Sequence, residues 1–186
     1  MKASILKKSL ISMIDSKIPV FVWGNPGVGK SSIIKQIAND KNMEFIDLRL
    51  SLLDPTDLRG IPFFDSANKS AIWAKPEFLP NSNSQAFGIL FLDEINSAPP
   101  TVQAAAYQLI LDRKIGEYTL PMNYAIVAAG NYESDRGVTY RMPTPLANRF
   151  VHLDFELDFE EWKSWAYESK IDTRIISFLS YKPQNL

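Results

Sequence analysis

Apolar positions recur at helical spacing from the start of the chain. Leu6, Leu10, Met13 and Ile14 share one side while Lys7, Lys8 and Lys17 fall elsewhere, which predicts an amphipathic helix packed on a core. The spacing then changes. Ile18-Pro19-Val20-Phe21-Val22-Trp23 predicts a buried strand, Ser31–Ala38 returns to helical spacing, and Met43–Leu48, after the polar turn Asn39–Asn42, predicts a second strand. Strand, helix, strand is the unit of a parallel sheet. Gly88-Ile89-Leu90-Phe91-Leu92 is a continuous apolar run that stops at Asp93-Glu94. A strand apolar on both faces belongs in the interior of such a sheet. Tyr124–Ala129 predicts another buried strand, and Phe150–Phe155 alternates, so one of its faces is exposed. Pro99-Pro100 fits the first turn of a helix lined by Val102, Ala105, Leu109 and Ile110, and Asp112–Pro121 reads as a short hairpin turning at Gly116. Residues 54–83 break every period with Pro55, Pro62, Pro76 and Pro80, which predicts loops with a hairpin around 61–73. Near the end, Phe159, Trp162, Trp165 and Ala166, then Ile171, Ile175, Phe178 and Leu179, predict two helices whose aromatics serve a core or an interface.

Between the first strand and its helix stands Gly24-Asn25-Pro26-Gly27-Val28-Gly29-Lys30-Ser31, which meets G-x-x-x-x-G-K-[ST] at every fixed position. Glycines let such a loop curl until successive N–H groups point into one concavity, and the helix N-terminus adds partial positive charge there. The motif implies a bound nucleoside triphosphate, with Lys30 reaching the β- and γ-phosphates and the Ser31 hydroxyl placed to ligate Mg²⁺; Ser32 is a second candidate. Ligands gather at the carboxyl ends of parallel strands. Asp93 is therefore expected to reach the metal through a water, and Glu94 to polarise the water that attacks the γ-phosphate. Asn131, after the strand 124–129, either holds that water or a γ-phosphate oxygen, or forms a bend with Gly130. His152 reads as a strand-face side chain, since no partner pattern accompanies it.

Composition narrows the chemistry. The 186 residues, 46% apolar, suffice for one substantial core. A formal charge of −1 supplies no global attraction for nucleic acid or an anionic membrane, and the absence of cysteine excludes disulfides, thiolate metal sites and cysteine nucleophiles. One histidine argues against zinc, and no run reaches membrane-spanning length, so the expectation is a cytoplasmic protein without a membrane partner.

With the phosphate loop, Leu92-Asp93-Glu94-Ile95-Asn96-Ser97-Ala98-Pro99-Pro100 and Pro143-Thr144-Pro145-Leu146-Ala147-Asn148-Arg149-Phe150 laid in order, the chain resembles the AAA+ ATPases and, within them, the MoxR-like branch. The resemblance spans most of residues 15–165. It implies an α/β P-loop NTPase fold, a three-layer sandwich with a central parallel sheet over residues 1–156, and the start of a helical lid over 157–186. By the same resemblance the cofactors are ATP and Mg²⁺, Asn131 is the sensor-1 residue, Arg149 is the arginine finger, 54–80 is the insertion within helix 2 and 112–121 is the pre-sensor hairpin. Both projections could face a central pore. A complete lid holds about four helices with a sensor-2 arginine, and nothing matches Arg174 to that role; a truncated piece, a minimal variant and a subunit completed by another chain all stay open.

An arginine supplied in trans is worth about 10³–10⁵ in the rate of phosphoryl transfer. An arginine finger implies a ring, a hexamer by similarity, with each site shared between neighbours. Arg136 and Arg141 rival Arg149, because they lie on the same loop. The leading expectation is a Mg-ATP-dependent ring motor that remodels or assembles protein partners through a substrate or adaptor. The rivals are a nucleic-acid motor, such as a helicase loader or a phage or restriction-type translocase, and a nucleotide switch that does not hydrolyse. Within 54–80, Arg59, Lys69 and Lys75 are scattered among Asp54, Asp57, Asp65 and Glu77, so no basic stripe favours nucleic acid. Asn68-Lys69-Ser70-Ala71 lacks the aspartate of a guanine-reading motif, which favours ATP over GTP.

Overall fold

Alternation along the strands decides how the layers stack. In the computed structural model, which describes residues 1–132, 140 and 142–186, β1 (Val20–Trp23) directs Val20 and Val22 to one face of the sheet and Phe21 to the other. β5 (Gly88–Asp93) does the same, with Ile89 and Phe91 opposed to Leu90 and Leu92. Helices α1 (Ala3–Asp15) and α2 (Lys30–Asp40) cover the first face with Leu6, Leu10, Ile14, Ile34 and Ile37. Helix α4 (Pro100–Asp112) covers the second with Val102, Ala105, Leu109 and Ile110, the residues the sequence spacing selects. Helix, sheet, helix is the expected three-layer sandwich.

The sheet has five strands in the order β2-β5-β8-β1-β9, where β2 is Glu44–Arg49, β8 is Tyr124–Gly130 and β9 is Val151–Asp154. Every pairing in it is parallel. The chain leaves β1 for the β2 edge, returns through β5 and β8, and then passes β1 to add β9 at the opposite edge. Adjacent strands β1 and β8 therefore part in opposite directions, which opens a crevice at their carboxyl ends. β9 lies at an edge with only Leu153 buried along it, which accounts for its alternating pattern.

Two hairpins leave this body. After a 3-10 turn at Leu50–Leu52, the short helix α3 (Pro55–Arg59) leads into β3 (Ile61–Asp65) and β4 (Ser70–Ala74), where the sequence places a hairpin. The helix itself is not apparent from periodicity, being five residues fixed by reciprocal capping between Asp54 and Asp57. Ile61, Phe63, Phe64, Ile72 and Trp73 on the hairpin are all exposed, Phe64 by 74%. The second hairpin pairs β6 (Lys114–Ile115) with β7 (Tyr118–Thr119) and turns at Gly116, whose φ is 55°.

Helix α5 (Thr144–Ala147) precedes β9, and α6 (Phe159–Glu168) and α7 (Thr173–Tyr181) follow it. The two tail helices stand where spacing predicts them, with a difference in face. Ile176 and Leu179 are the buried residues of α7, whereas Ile175 and Phe178 are exposed, as is Trp165 of α6, so these three side chains are not core. Ser4 ties α6 to the body, donating from its hydroxyl to Glu161 at 2.6 Å and from its amide at 3.0 Å.

Candidate nucleotide site

The phosphate loop has its conformation set by two residues in the left-handed region, Gly27 at φ 81° and Gly29 at φ 93°. A Cβ on either would meet nothing within 4 Å, so backbone geometry and not space demands glycine there. Gly29 is also the N-cap of α2, and no side chain caps that helix. Its first N–H groups are left for an anion. Asn25, Pro26 and Gly27 are exposed, Val28 packs partly against the α1–α2 core, Ser31 is half-buried and Ser32 is exposed. Lys30 is buried, and its Nζ donates to Gly24 O at 2.7 Å, Asn25 O at 3.0 Å and Asn131 Oδ1 at 2.9 Å. The lysine of the loop and the asparagine after β8, 101 residues apart, thus meet directly.

The two carboxylates stand at the end of β5. Asp93 Oδ1 accepts the amide of Glu94 at 2.9 Å, and Glu94 itself holds φ 55°, an uncommon conformation for a residue with a Cβ. That turn carries the Glu94 side chain to Ser51, whose hydroxyl donates to Oε2. Burial pushes the Asp93 carboxyl above the usual carboxylate range, and the negative charges of Glu94 and Asp47 add to the rise, against the Glu94 amide and Lys30. Asp47, on β2, is raised by desolvation as well. An ionised Asp93 thus sits in an environment that favours a counter-cation.

Asn131 follows Gly130, the last residue of β8, so the pair does not form a bend: the strand runs straight to the asparagine. Glycine is required at 130 by close approach, since a Cβ would lie 2.3 Å from Asn96 Oδ1 and 2.7 Å from the Phe21 ring. The ends of β1, β5 and β8 therefore bring Lys30, Asp93 with Glu94, and Asn131 to one edge of the sheet. Arg149 does not join them. It is exposed between α5 and β9, and no ion pair engages it among the described residues; Arg136 and Arg141 lie outside the described residues.

His152 has partners after all. Its Nδ1 accepts the Trp23 indole N–H at 2.8 Å, which leaves the proton on Nε2, and that N–H donates to Ala147 O at 2.8 Å. It links the end of β1 to the turn that carries Arg149 and remains a strand-face residue. The residues that sequence reading missed are Ser51 and Asn96. Asn96 lies among the polar residues Asp93, Glu94 and Ser97, so nothing in its neighbourhood singled it out, and Ser51 had no signal either.

The profile of the ATPase family associated with various cellular activities (AAA) matches residues 19–152. Among curated proteins, the chain is 28% identical over 152 residues to the chaperone MoxR1 of Mycobacterium tuberculosis, covering 79% of this chain and 38% of that protein. It is 30% identical over 107 residues to the replication factor C large subunit of Ignicoccus hospitalis, covering 58% of this chain and 20% of that one. The chain thus spans well under half the length of these relatives. Among solved structures it is similar to a "putative ATPase" from Cytophaga hutchinsonii, at TM-score 0.63 and 22% identity over 90% of this chain and 50% of that one. It is also similar to NtrX of Brucella abortus in complex with ADP, at TM-score 0.56 and 17% identity over 91% of this chain and 42% of that one. At those identities the structures speak for the fold alone. Carried by the profile match over most of its length, the chain belongs to the ATPase family associated with various cellular activities.

Proposed function

We propose that this ATPase works as a subunit of a ring in which Arg149 of one copy completes the nucleotide site of the next, and that the ring acts on protein partners. The observation that carries the reading is the separation of Arg149 from its own Lys30, Glu94 and Asn131, on an exposed turn with no ion-pair partner among the described residues. A cation held away from its own site is suited to a neighbour's. In this reading Lys30 and the loop amides hold the phosphates, Glu94 takes a proton from the attacking water, and Asn131 orients that water or a γ-phosphate oxygen.

Ser31 and Asp93 supply one hydroxyl and one carboxylate, a sparse hard-oxygen set of the kind that Mg²⁺ shares with phosphates and waters. No group of three or more His, Cys, Asp or Glu among the described residues offers an all-protein cage instead. When bound, the metal would neutralise charge on the β- and γ-oxygens. Residues 157–186, with their two helices, we assign to the start of a lid over the 1–156 domain.

The protein-partner reading is supported by the chaperone among the relatives and by the exposed apolar hairpin β3–β4. Among the described residues no helix is long and apolar enough to cross a membrane, and we place the ring in the cytoplasm. The test is Mg-ATP hydrolysis against protein concentration for the wild type, Glu94→Gln, Arg149→Ala and an equimolar mixture of the two variants. A steeper-than-linear wild type, two inactive variants and activity restored on mixing are expected, because Glu94→Gln retains the finger and Arg149→Ala retains the base. Activity linear in protein and indifferent to Arg149 would refute the shared site.

A further inference from the structure

Asn96 is a polar side chain in the core, only 2% exposed, three residues beyond the end of β5. A buried amide must spend its donors and acceptor inside the protein. Its Nδ2 donates to Asn131 O at 2.7 Å, and its Oδ1 accepts Asn131 N at 3.3 Å. The side chain grips both backbone groups of one residue, as a neighbouring strand would, and continues the ladder one step past the end of β8. Its own carbonyl accepts the amide of Tyr140 at 2.6 Å. Gly130 is the mark of this arrangement, since any Cβ there would displace the Asn96 amide.

We infer that Asn96 is a positioning residue that fixes the Asn131 peptide to the turn carrying Glu94, so that base and asparagine keep one spacing while the Asn131 side chain stays free to change partners. The inference rests on the proposed role of Asn131. Asn131 follows a strand end and carries its Oδ1 toward Lys30, so a ligand that engaged its side chain would pull on a peptide that has to be held in place. The two Asn96 bonds supply that constraint from the same turn that holds Glu94 in its left-handed conformation. Displacement of a reacting group by 1 Å costs about 100-fold in rate.

The test is a cycle of Asn96→Leu, Asn131→Ala and their double variant in the assembled protein, with kcat, KM and the dissociation constant of a fluorescent ATP analogue measured for each. Asn96→Leu is expected to lower kcat by about 10–100-fold with nucleotide affinity within about 3-fold of wild type. The double variant is expected to be no slower than Asn131→Ala alone, because a residue acting through another has nothing left to act on. A loss of the same factor in both backgrounds, or a parallel loss of kcat and nucleotide affinity, would overturn the inference while leaving the role of Asn131 intact. Asn131→Ala at the wild-type rate would remove that role and the inference with it. If Asn96→Leu does not fold, Asn96→Asp takes its place in the same cycle: it keeps the acceptor for Asn131 N and loses the donor to Asn131 O, and a kcat equal to wild type would also overturn the inference.

Discussion

Replacing Asp93 by asparagine should make the nucleotide-free protein more stable and, if the proposed site holds, remove the Mg²⁺ dependence of its nucleotide binding. The Asp93 carboxyl lies above its ordinary range chiefly through desolvation, then through repulsion by Glu94 and Asp47, with the Glu94 amide and Lys30 opposing. The native carboxyl thus keeps its proton at pH values where the unfolded chain, near 3.9, has lost it. Between the unfolded and the higher native value, stability falls as pH rises, and above the native value the whole penalty is present. Asparagine retains the oxygen that accepts Glu94 N at 2.9 Å, so the turn keeps its bond while the desolvated charge is gone. Optimising the charge at a single site is commonly worth about 0.5–2 kcal/mol, and because Asp93 is only partly buried solvent screening sets the gain toward the lower end. In a domain of this size that amounts to roughly 1–8 °C in Tm. Thermal melts without nucleotide at pH 7.5 and at pH 4 should show a gain at the higher pH that shrinks at the lower one. Magnesium should add to the nucleotide-dependent Tm shift of the wild type and add nothing for Asp93→Asn. A fall in Tm at pH 7.5, or a gain independent of pH, would refute the electrostatic account of this strand end.

Ser51→Ala should raise basal ATP turnover by about 10-fold or more, because the Ser51 hydroxyl occupies the Glu94 carboxylate and hydrogen bonds to a charge are worth about 1.5–3 kcal/mol; steady-state rates at saturating Mg-ATP decide, and a slower variant would mean that the serine orients the base instead. Phe63→Ser with Phe64→Ser should change unfolding free energy by no more than about 1 kcal/mol in denaturant melts, since both rings are exposed and surface changes cost about 0.5 kcal/mol or less each; a larger loss would place the β3–β4 hairpin inside the folding unit.

Much of the scaffold was legible because its signals are local. The runs of β1, β5 and β8, the one-sided spacing of α1 and α4 and the glycine-lysine loop depend on neighbours within about ten residues, and each lies where its pattern points. What was not legible depends on partners far along the chain. The Ser51 hydroxyl and Glu94 are 43 residues apart, and Asn96 and Asn131 are 35 apart. No period links such pairs; only the side-by-side pairing of β2 with β5 and β5 with β8 does. The α7 face went astray for a related reason. Ile175, Ile176, Phe178 and Leu179 fit two overlapping apolar stripes, and only the packing surface chose Ile176 and Leu179.

Both reactive groups of the proposed site are engaged by the protein itself. Lys30 gives its ammonium to two loop carbonyls and to Asn131, and Glu94 accepts Ser51. The Gly24, Asn25 and Asn131 oxygens carry no formal charge, so a doubly charged phosphate oxygen attracts the Lys30 ammonium more strongly than any one of them does. In the proposed site, a Lys30 that turned to such oxygens would leave the Asn131 side chain without its donor and available to a water or a γ-oxygen. Its peptide stays where Asn96 holds it, so the release alters what Asn131 faces without moving where it stands. In the proposed site the lysine that would recognise the phosphates would thereby also free the asparagine, and Lys30→Met should uncouple the two by breaking the Lys30–Asn131 bond without nucleotide.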